Sequence, residues 1–139
     1  MKVVGFDGRE HNWNYSKYYN RKARSGKSKP HKKALLLVKS LYPQYTIYEE
    51  VTLPGSRTNG RRSLLFADLF LPSLPMIVEV HGKQHYEYIP HFHGDKMGFV
   101  NAKRRDKDKV EWCGLNDITI AVLPYDKEEE WEMIIRNST

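Results

Sequence analysis

A single cysteine, Cys113, in 139 residues excludes an internal disulfide and any multi-cysteine zinc site. Long apolar runs are missing too, since none approaches the ~20 residues that a membrane-spanning helix needs. The N-terminus has no signal-peptide pattern, because Lys2, Asp7, Arg9 and Glu10 break any apolar stretch there. These absences predict an intracellular protein. Acids are missing from one long segment. Between Asn12 and Tyr48 stand nine basic residues (Lys17, Arg21, Lys22, Arg24, Lys27, Lys29, Lys32, Lys33 and Lys39) and no carboxylate. The chain totals 23 basic and 17 acidic residues, a formal charge of +6, so the remainder carries 14 basic against 17 acidic residues, or −3. The positive charge is therefore local.

That basic segment is interleaved with Trp13, Tyr15, Tyr18 and Tyr19. Cations alternating with aromatics suit phosphate contacts combined with stacking or groove insertion, so residues 1–29 are expected to form a basic aromatic arm that binds nucleic acid. Residues 30–139 are long enough for one core and not for two.

Along that domain the sequence SKPHKKALLLVKSLYP predicts a helix, with Ser28 as cap, Pro30 in the first turn and an apolar stripe through Ala34, Leu37, Val38 and Leu41. Residues 45–53 alternate as a strand does, and the turn-rich PGSRTNGRR then joins two strands of a hairpin. Two short apolar runs follow, residues 64–71 and Met76–His81, bounded by Pro72 and Pro75. A loop-like segment leads to a helical pattern over 99–113, closed by Gly114, with Phe99, Ala102, Val110 and Cys113 as its apolar stripe. Residues 118–123 read as a buried strand and 128–136 as a terminal helix. The order α-β-β-β-α-β-α predicts an α/β fold, a central mixed four-stranded sheet with helices on both faces.

The chemistry is expected where acids interrupt apolar strands. Asp68 falls in the middle of the first run, Glu79 near the end of the second, and His81 two residues on. Alternation puts Glu79 and His81 on one face and Val78 and Val80 on the other. A carboxylate inside an apolar strand is costly unless paired, hydrogen-bonded or metal-bound, and two on adjacent strands repel. A divalent cation held between them removes both costs. Pairing with Arg61, Arg62 or Lys83 is the competing explanation. Asp106 completes the i, i+3, i+4 series of the second helix, so an acid faces the sheet where an apolar residue is expected.

FADLFLP, IVEVHGKQHY and RRDKDKVEWCGLNDITIAVLPY, in this order, resemble the PD-(D/E)XK (restriction-endonuclease-like) nuclease superfamily, in particular its branch of very short patch repair and small phage and homing endonucleases. The resemblance covers about residues 28–125 and implies a restriction-endonuclease-like core. Matched residue by residue, Asp68 takes the place of the metal-binding aspartate and Glu79 that of the acid in the E-x-K half-motif. His81 stands at the motif's lysine position, as in the repair-nuclease variant, and His85 matches the second histidine of that variant. Asp106 matches an acid of the downstream helix, and Glu50 resembles the acid preceding the core motif, with Glu49 as the competing choice.

The resemblance implies a metal-dependent DNA endonuclease, in a bacterium or a phage-infected cell, that nicks as a monomer or cuts both strands as a homodimer. Mg²⁺, with Mn²⁺ as substitute, would be held by Asp68, Glu79 and the Val80 carbonyl, a donor set that suits a hard cation. His81 and His85 would move protons, and Lys83 would stabilise phosphate charge. DNA would be gripped by Lys17, Arg21, Lys22, Arg24, Lys27 and Lys29 of the arm, and by Arg57, Arg61 and Arg62 of the hairpin turn. Two other readings compete: an inactive DNA-binding protein that keeps the fold, and a structure-specific or RNA-directed binding protein. Four histidines between His81 and His93 raise zinc, which the H-G break and the lack of a nearby cysteine disfavour; His91 and His93 are expected in a DNA-facing loop, and His11 and His31 on the surface.

Overall fold

In the computed structural model, which describes residues 1–19 and 28–139, a four-stranded sheet separates two apolar layers. Its strands are β3 (Tyr48–Thr52), β4 (Phe66–Leu71), β5 (Met76–His81) and β6 (Thr119–Pro124), adjacent in that order, after a separate two-stranded hairpin of β1 (Lys2–Val4) and β2 (Glu10–Asn12). β3 and β4 pair antiparallel, as do β4 and β5, while β6 runs parallel to β5. The mixed sheet flanked by helices is as expected, and both tight connections fall on the expected Pro- and Gly-rich turns.

One face is covered by α1 (Lys29–Leu41) and α4 (Trp131–Asn137). Ser28 caps α1, its Oγ accepting from the His31 N–H at 3.2 Å, and Pro30 sits in the first turn, where no intrahelical donor is lost. The stripe His31, Ala34, Leu35 and Val38 is buried, against Leu69, Leu71, Met76, Val78 and Leu123 of the sheet. His31 is thus not a surface residue: its Nε2 lies 2.9 Å from Glu49 Oε1.

The other face carries α3 (Lys96–Leu115), longer than expected because Asp95 caps it, accepting from the Gly98 N–H at 2.8 Å. A short helix α2 (Pro90–His93) precedes it, and Gly94, at φ 76°, turns the chain between them in the left-handed region that glycine enters freely. Two details differ from expectation. Gly114 lies inside α3 rather than ending it, and Val110 is half exposed at 50%, while Trp112 and Cys113 fill the core. An early run of charges leaves α3 only its last turns to bury.

Residues 1–19 are not a detached arm. Val3, Trp13 and Tyr18 belong to the core on the α3 side. Trp13 stacks on Phe70 (centroids 4.2 Å apart, 20° between planes) and meets Trp112 edge-on at 5.2 Å. Tyr18 reaches Thr52 Oγ1 through its hydroxyl at 2.6 Å. Trp13 and Tyr18 are therefore structural rather than base-stacking groups, because burying so much ring surface outweighs presenting it to a ligand. Lys17 remains on a 3-10 turn beside Tyr18, and Lys29 opens α1 exposed. Arg21, Lys22, Arg24 and Lys27 lie outside the described residues.

Replacing Trp13 by Ala is expected to lower the unfolding free energy by about 3–5 kcal/mol, as for a buried aromatic. Urea unfolding followed by circular dichroism checks this. A residue on a solvated arm would change it by less than about 0.5 kcal/mol.

Candidate active site

The ladder between β4 and β5 runs backbone to backbone through Leu71–Met76, Phe70–Ile77 and Leu69–Val78. One residue further on, carboxylates take over. The Asp68 N–H donates to Glu79 Oε2 and the Val80 N–H donates to Asp68 Oδ2, both at 2.8 Å. Each acid thus satisfies a backbone donor of the opposite strand. This reciprocal exchange explains how two acids occupy apolar strands, and Glu79 is nearly sealed, at 1% exposure.

The two acids do not act on one another symmetrically: the Asp68 charge raises Glu79, whereas the hydrogen bond from Glu79 lowers Asp68. Burial first, then the Asp68 charge, pushes Glu79 from 4.5 up to about 7. Burial also raises Asp68, against the pull of Lys109. Lys109 is the residue that sequence reasoning missed. Its Nζ forms a short ion pair with Glu79 Oε1. Burial works against the Lys109 charge, but the Glu79 carboxylate outweighs it and raises the ammonium pKa. The available signal was its place three residues after Asp106, on the same helix face, hidden in a run of charges.

Beside this pair lies a second cluster. His81 ends β5, and Gly82 opens a 3-10 turn, Lys83–His85, that folds His85 back over it. The two imidazoles stack with centroids 4.0 Å apart and planes 8° apart. Asp106 of α3 faces both, with Oδ2 3.0 Å from His85 Nδ1 and Oδ1 4.0 Å from His81 Nε2. The H-G sequence does not continue a helix, yet strand end plus 3-10 turn does what a helix would have done. His81, His85 and Asp106 bring ligand atoms within 4.8 Å of one another, a group that could hold a metal ion. Burial, then the neighbouring His85, pushes His81 down to about 4, so its ring is neutral at pH 7. Burial tends to raise Asp106, but the His85 hydrogen bond and charge outweigh it and keep the carboxyl below its usual range.

The remaining site residues divide. Glu50 carries φ 49°, a left-handed conformation inside β3 that costs a non-glycine residue about 1–3 kcal/mol. The regular pairs Glu49–Leu69 and Val51–Ala67 flank it opposite Asp68, and its charge adds to the rise of the Asp68 pKa. Glu49 instead turns to His31 under α1, so Glu50 is the acid electrostatically coupled to Asp68. Lys83 does not join the acids: it is exposed on its turn, 3.6 Å from Glu87. Lys109 stands where that positive charge was expected. His93 is tied into its own loop, Nδ1 accepting from the Ile89 N–H and Nε2 2.9 Å from the Gln84 carbonyl, while His91 is exposed. Burial pushes the Cys113 thiol up to about 12, which leaves it a packing group. Arg57 and Arg62 are exposed on the hairpin turn, and Arg61 is largely buried there, 3.2 Å from Asp108.

His85, Asp106 and Lys109 line a cleft of about 480 Å³, together with Phe66, Gln84 and Arg105 among others, whereas Asp68, Glu79 and His81 are not among its lining residues. Its walls are α3, the start of β4 and the turn after β5.

No family model matches the chain, and no solved structure matches it. Two viral proteins of unassigned role are similar in part. Uncharacterized protein 307L of Invertebrate iridescent virus 6 is 41% identical over 70 residues, half of this chain and 35% of that protein. Uncharacterized protein 033L of Invertebrate iridescent virus 3 is 36% identical over 58 residues, 42% of this chain and 30% of that protein. The chain therefore matches about a third of the length of these relatives. Among the described residues, no helix is long and apolar enough to cross a membrane.

Lys109→Met is expected to destabilise the protein by about 3 kcal/mol at pH 8, because it strands the Glu79 carboxylate in the core. Glu79 has a folded pKa above its unfolded one, so protonation favours the folded state; that contribution is complete below about 4.5 and lost as pH rises through about 7. Without Lys109 the folded value rises further, so the penalty should shrink as pH falls from 8 to 5. Chemical denaturation of both proteins at these pH values measures it.

Proposed function

We propose that this protein is a metal-dependent DNA endonuclease whose reacting centre is the Asp68–Glu79 pair with the His81–His85–Asp106 cluster. The reading is carried by one observation: the buried Glu79 and partly buried Asp68 carboxylates, exchanged across β4 and β5, with the Lys109 ammonium in contact and an imidazole pair at the same strand end. Two carboxylates against one ammonium leave an excess of negative charge in a place where burial penalises it. Such a deficit favours a cation.

The donor types suit Mg²⁺, which prefers carboxylate and carbonyl oxygens and keeps part of its water shell. Asp68 and Glu79 would hold it, with the Val80 carbonyl as the third protein donor. When bound, such an ion supplies Lewis acidity and lowers the pKa of water. The chain's own residues do the rest. Asp106 orients His85 through Nδ1, which leaves Nε2 of that ring for a water or a phosphate oxygen. Neutral His81 offers a hydrogen-bond acceptor beside it that can orient an attacking water. Lys109, held by Glu79, places a cation close to the developing phosphorane charge. A nucleic-acid substrate is supported by the basic residues between Asn12 and Tyr48 and in the β3–β4 turn, and DNA is the substrate that the sequence resemblance implies.

The test is relaxation of supercoiled plasmid with Mg²⁺ or Mn²⁺. Wild-type protein is expected to nick or linearise it, and Asp68→Ala and Glu79→Ala to lose about 10³-fold or more, several kcal/mol of barrier. Asp106→Asn, which keeps its size but weakens its hold on His85, is expected to lower kcat about 10²-fold with KM little changed. Binding without cleavage in both metals, on plain, mismatched and branched DNA, would instead favour an inactive DNA-binding protein.

A further inference from the structure

On α3, next to the stripe that carries Asp106 and Lys109, runs a second polar stripe that meets their cleft only at Arg105. Asn101, Arg104, Arg105 and Asp108 fall at i, i+3, i+4 and i+7, and so share a face. The β3–β4 turn lies against them, with Thr58, Gly60 and Arg61, and a cavity of about 170 Å³ remains between. Three guanidinium groups line it against the one carboxylate of Asp108.

The turn is held in place by its own bonds. Ser56 Oγ donates to the Leu53 carbonyl and accepts from the Leu65 N–H, at 2.6 and 2.8 Å. Thr58 and Arg61 exchange backbone hydrogen bonds at 3.0 and 3.1 Å. Arg61 donates from Nη2 to the Ser56 carbonyl and to Asp108, and its side chain is only 13% exposed. Its Nε and Nη1 are buried with no hydrogen-bond partner among the described residues. A fixed guanidinium, its charge shared with a single acid, is set beside two exposed arginines at a small opening. That combination selects an anion with several oxygens.

We infer that this cavity is a phosphate subsite, which docks an internal backbone phosphate of the nucleic acid to one side of the reacting centre. Arg105 lines both this cavity and the cleft of Asp106 and Lys109, so a strand lying in the cleft passes Arg104 and Arg105 as it leaves. The assignment to a nucleic acid rests on the proposed function, whereas anion binding by the cavity does not.

The experiment uses the full chain without divalent metal. Inorganic phosphate and pyrophosphate are titrated against the amide NMR signals, and a labelled duplex is then bound across a range of salt. Saturable shifts are expected at Gly60, Arg61 and Asn101. Arg104→Ala with Arg105→Ala should weaken pyrophosphate about tenfold and lower the slope of log affinity against log salt by about 0.9, one phosphate. Lys107→Ala removes a charge from the same helix outside the cavity and should leave pyrophosphate binding unchanged. Both arginines are exposed, so matching melting curves will show that the double variant folds. The subsite is overturned if the anions give no saturable shift or bind the double variant equally well. Anion binding without duplex binding overturns its assignment to a nucleic acid. A preference for 5′-phosphorylated duplex that the double variant loses overturns the internal position in favour of a strand end. An intact plasmid in Mg²⁺ counts against the nuclease alone, since none of these readouts uses cleavage.

Discussion

At the point where β4 and β5 stop pairing backbone to backbone, two side chains complete the ladder. Asp68 and Glu79 each accept the N–H that the opposite strand would have given to a carbonyl. A carboxylate is a stronger acceptor than an amide carbonyl, which offsets part of the cost of burying its charge. The same exchange sets two carboxylates side by side at the end of the ladder. Neither acid could be exchanged for an apolar residue without orphaning a buried donor, nor left alone without uncompensated charge. The rest of the site is arranged around that conflict.

Two elements bear on it. α3 brings Lys109 against Glu79, the only cation that the described contacts place on the pair. β3 holds Glu50 in a left-handed conformation opposite Asp68, which adds a further negative charge where two already repel. Backbone strain and like-charge crowding are both costs that the surrounding structure must outweigh, and strained, charge-crowded positions of this kind cluster at functional sites. The imidazole pair lies at the same end of β5 but is balanced differently, by Asp106 alone. One half of the site thus crowds carboxylates around a single ammonium, and the other pairs two stacked imidazoles with one carboxylate.

The strands, the caps of α1 and the two tight turns were legible in the chain because each rests on local chemistry: alternation, a Ser-x-Pro start, and Pro and Gly at bends. Asp68, Glu79 and Asp106 were legible for the opposite reason, as charges that break an apolar pattern. Lys109 was not, since one lysine among RRDKDK carries no local mark, and only the tertiary position of α3 distinguishes it from Lys107. Trp13 and Tyr18 misled by composition. Aromatics among cations fit nucleic-acid binding, but an uncovered Phe70 and Trp112 gave them a larger apolar surface to bury. His31 and Glu49 stayed hidden because neither breaks a pattern, and their contact joins α1 to β3 across 18 positions of sequence.

α3 shows how far amphipathic patterning can be spent on function. Only Trp112 and Cys113 are fully buried among its 20 residues, so its polar stripes are not simply the solvated back of a packed helix. One stripe, Asp106 and Lys109, reaches into the cleft beside β5. The next, Asn101, Arg104, Arg105 and Asp108, meets the β3–β4 turn. A helix so poorly buried along its first three turns gains little from the hydrophobic effect there, and its position must come from its ends and its charge pairs: Asp95 at the cap, Arg61 with Asp108, Glu79 with Lys109, His85 with Asp106. The contacts that place the helix are therefore the same ones that build the site. Any ligand that competes for Asp106, Lys109 or Arg61 also acts on how α3 is held, so occupancy and local stability in this half of the molecule are coupled.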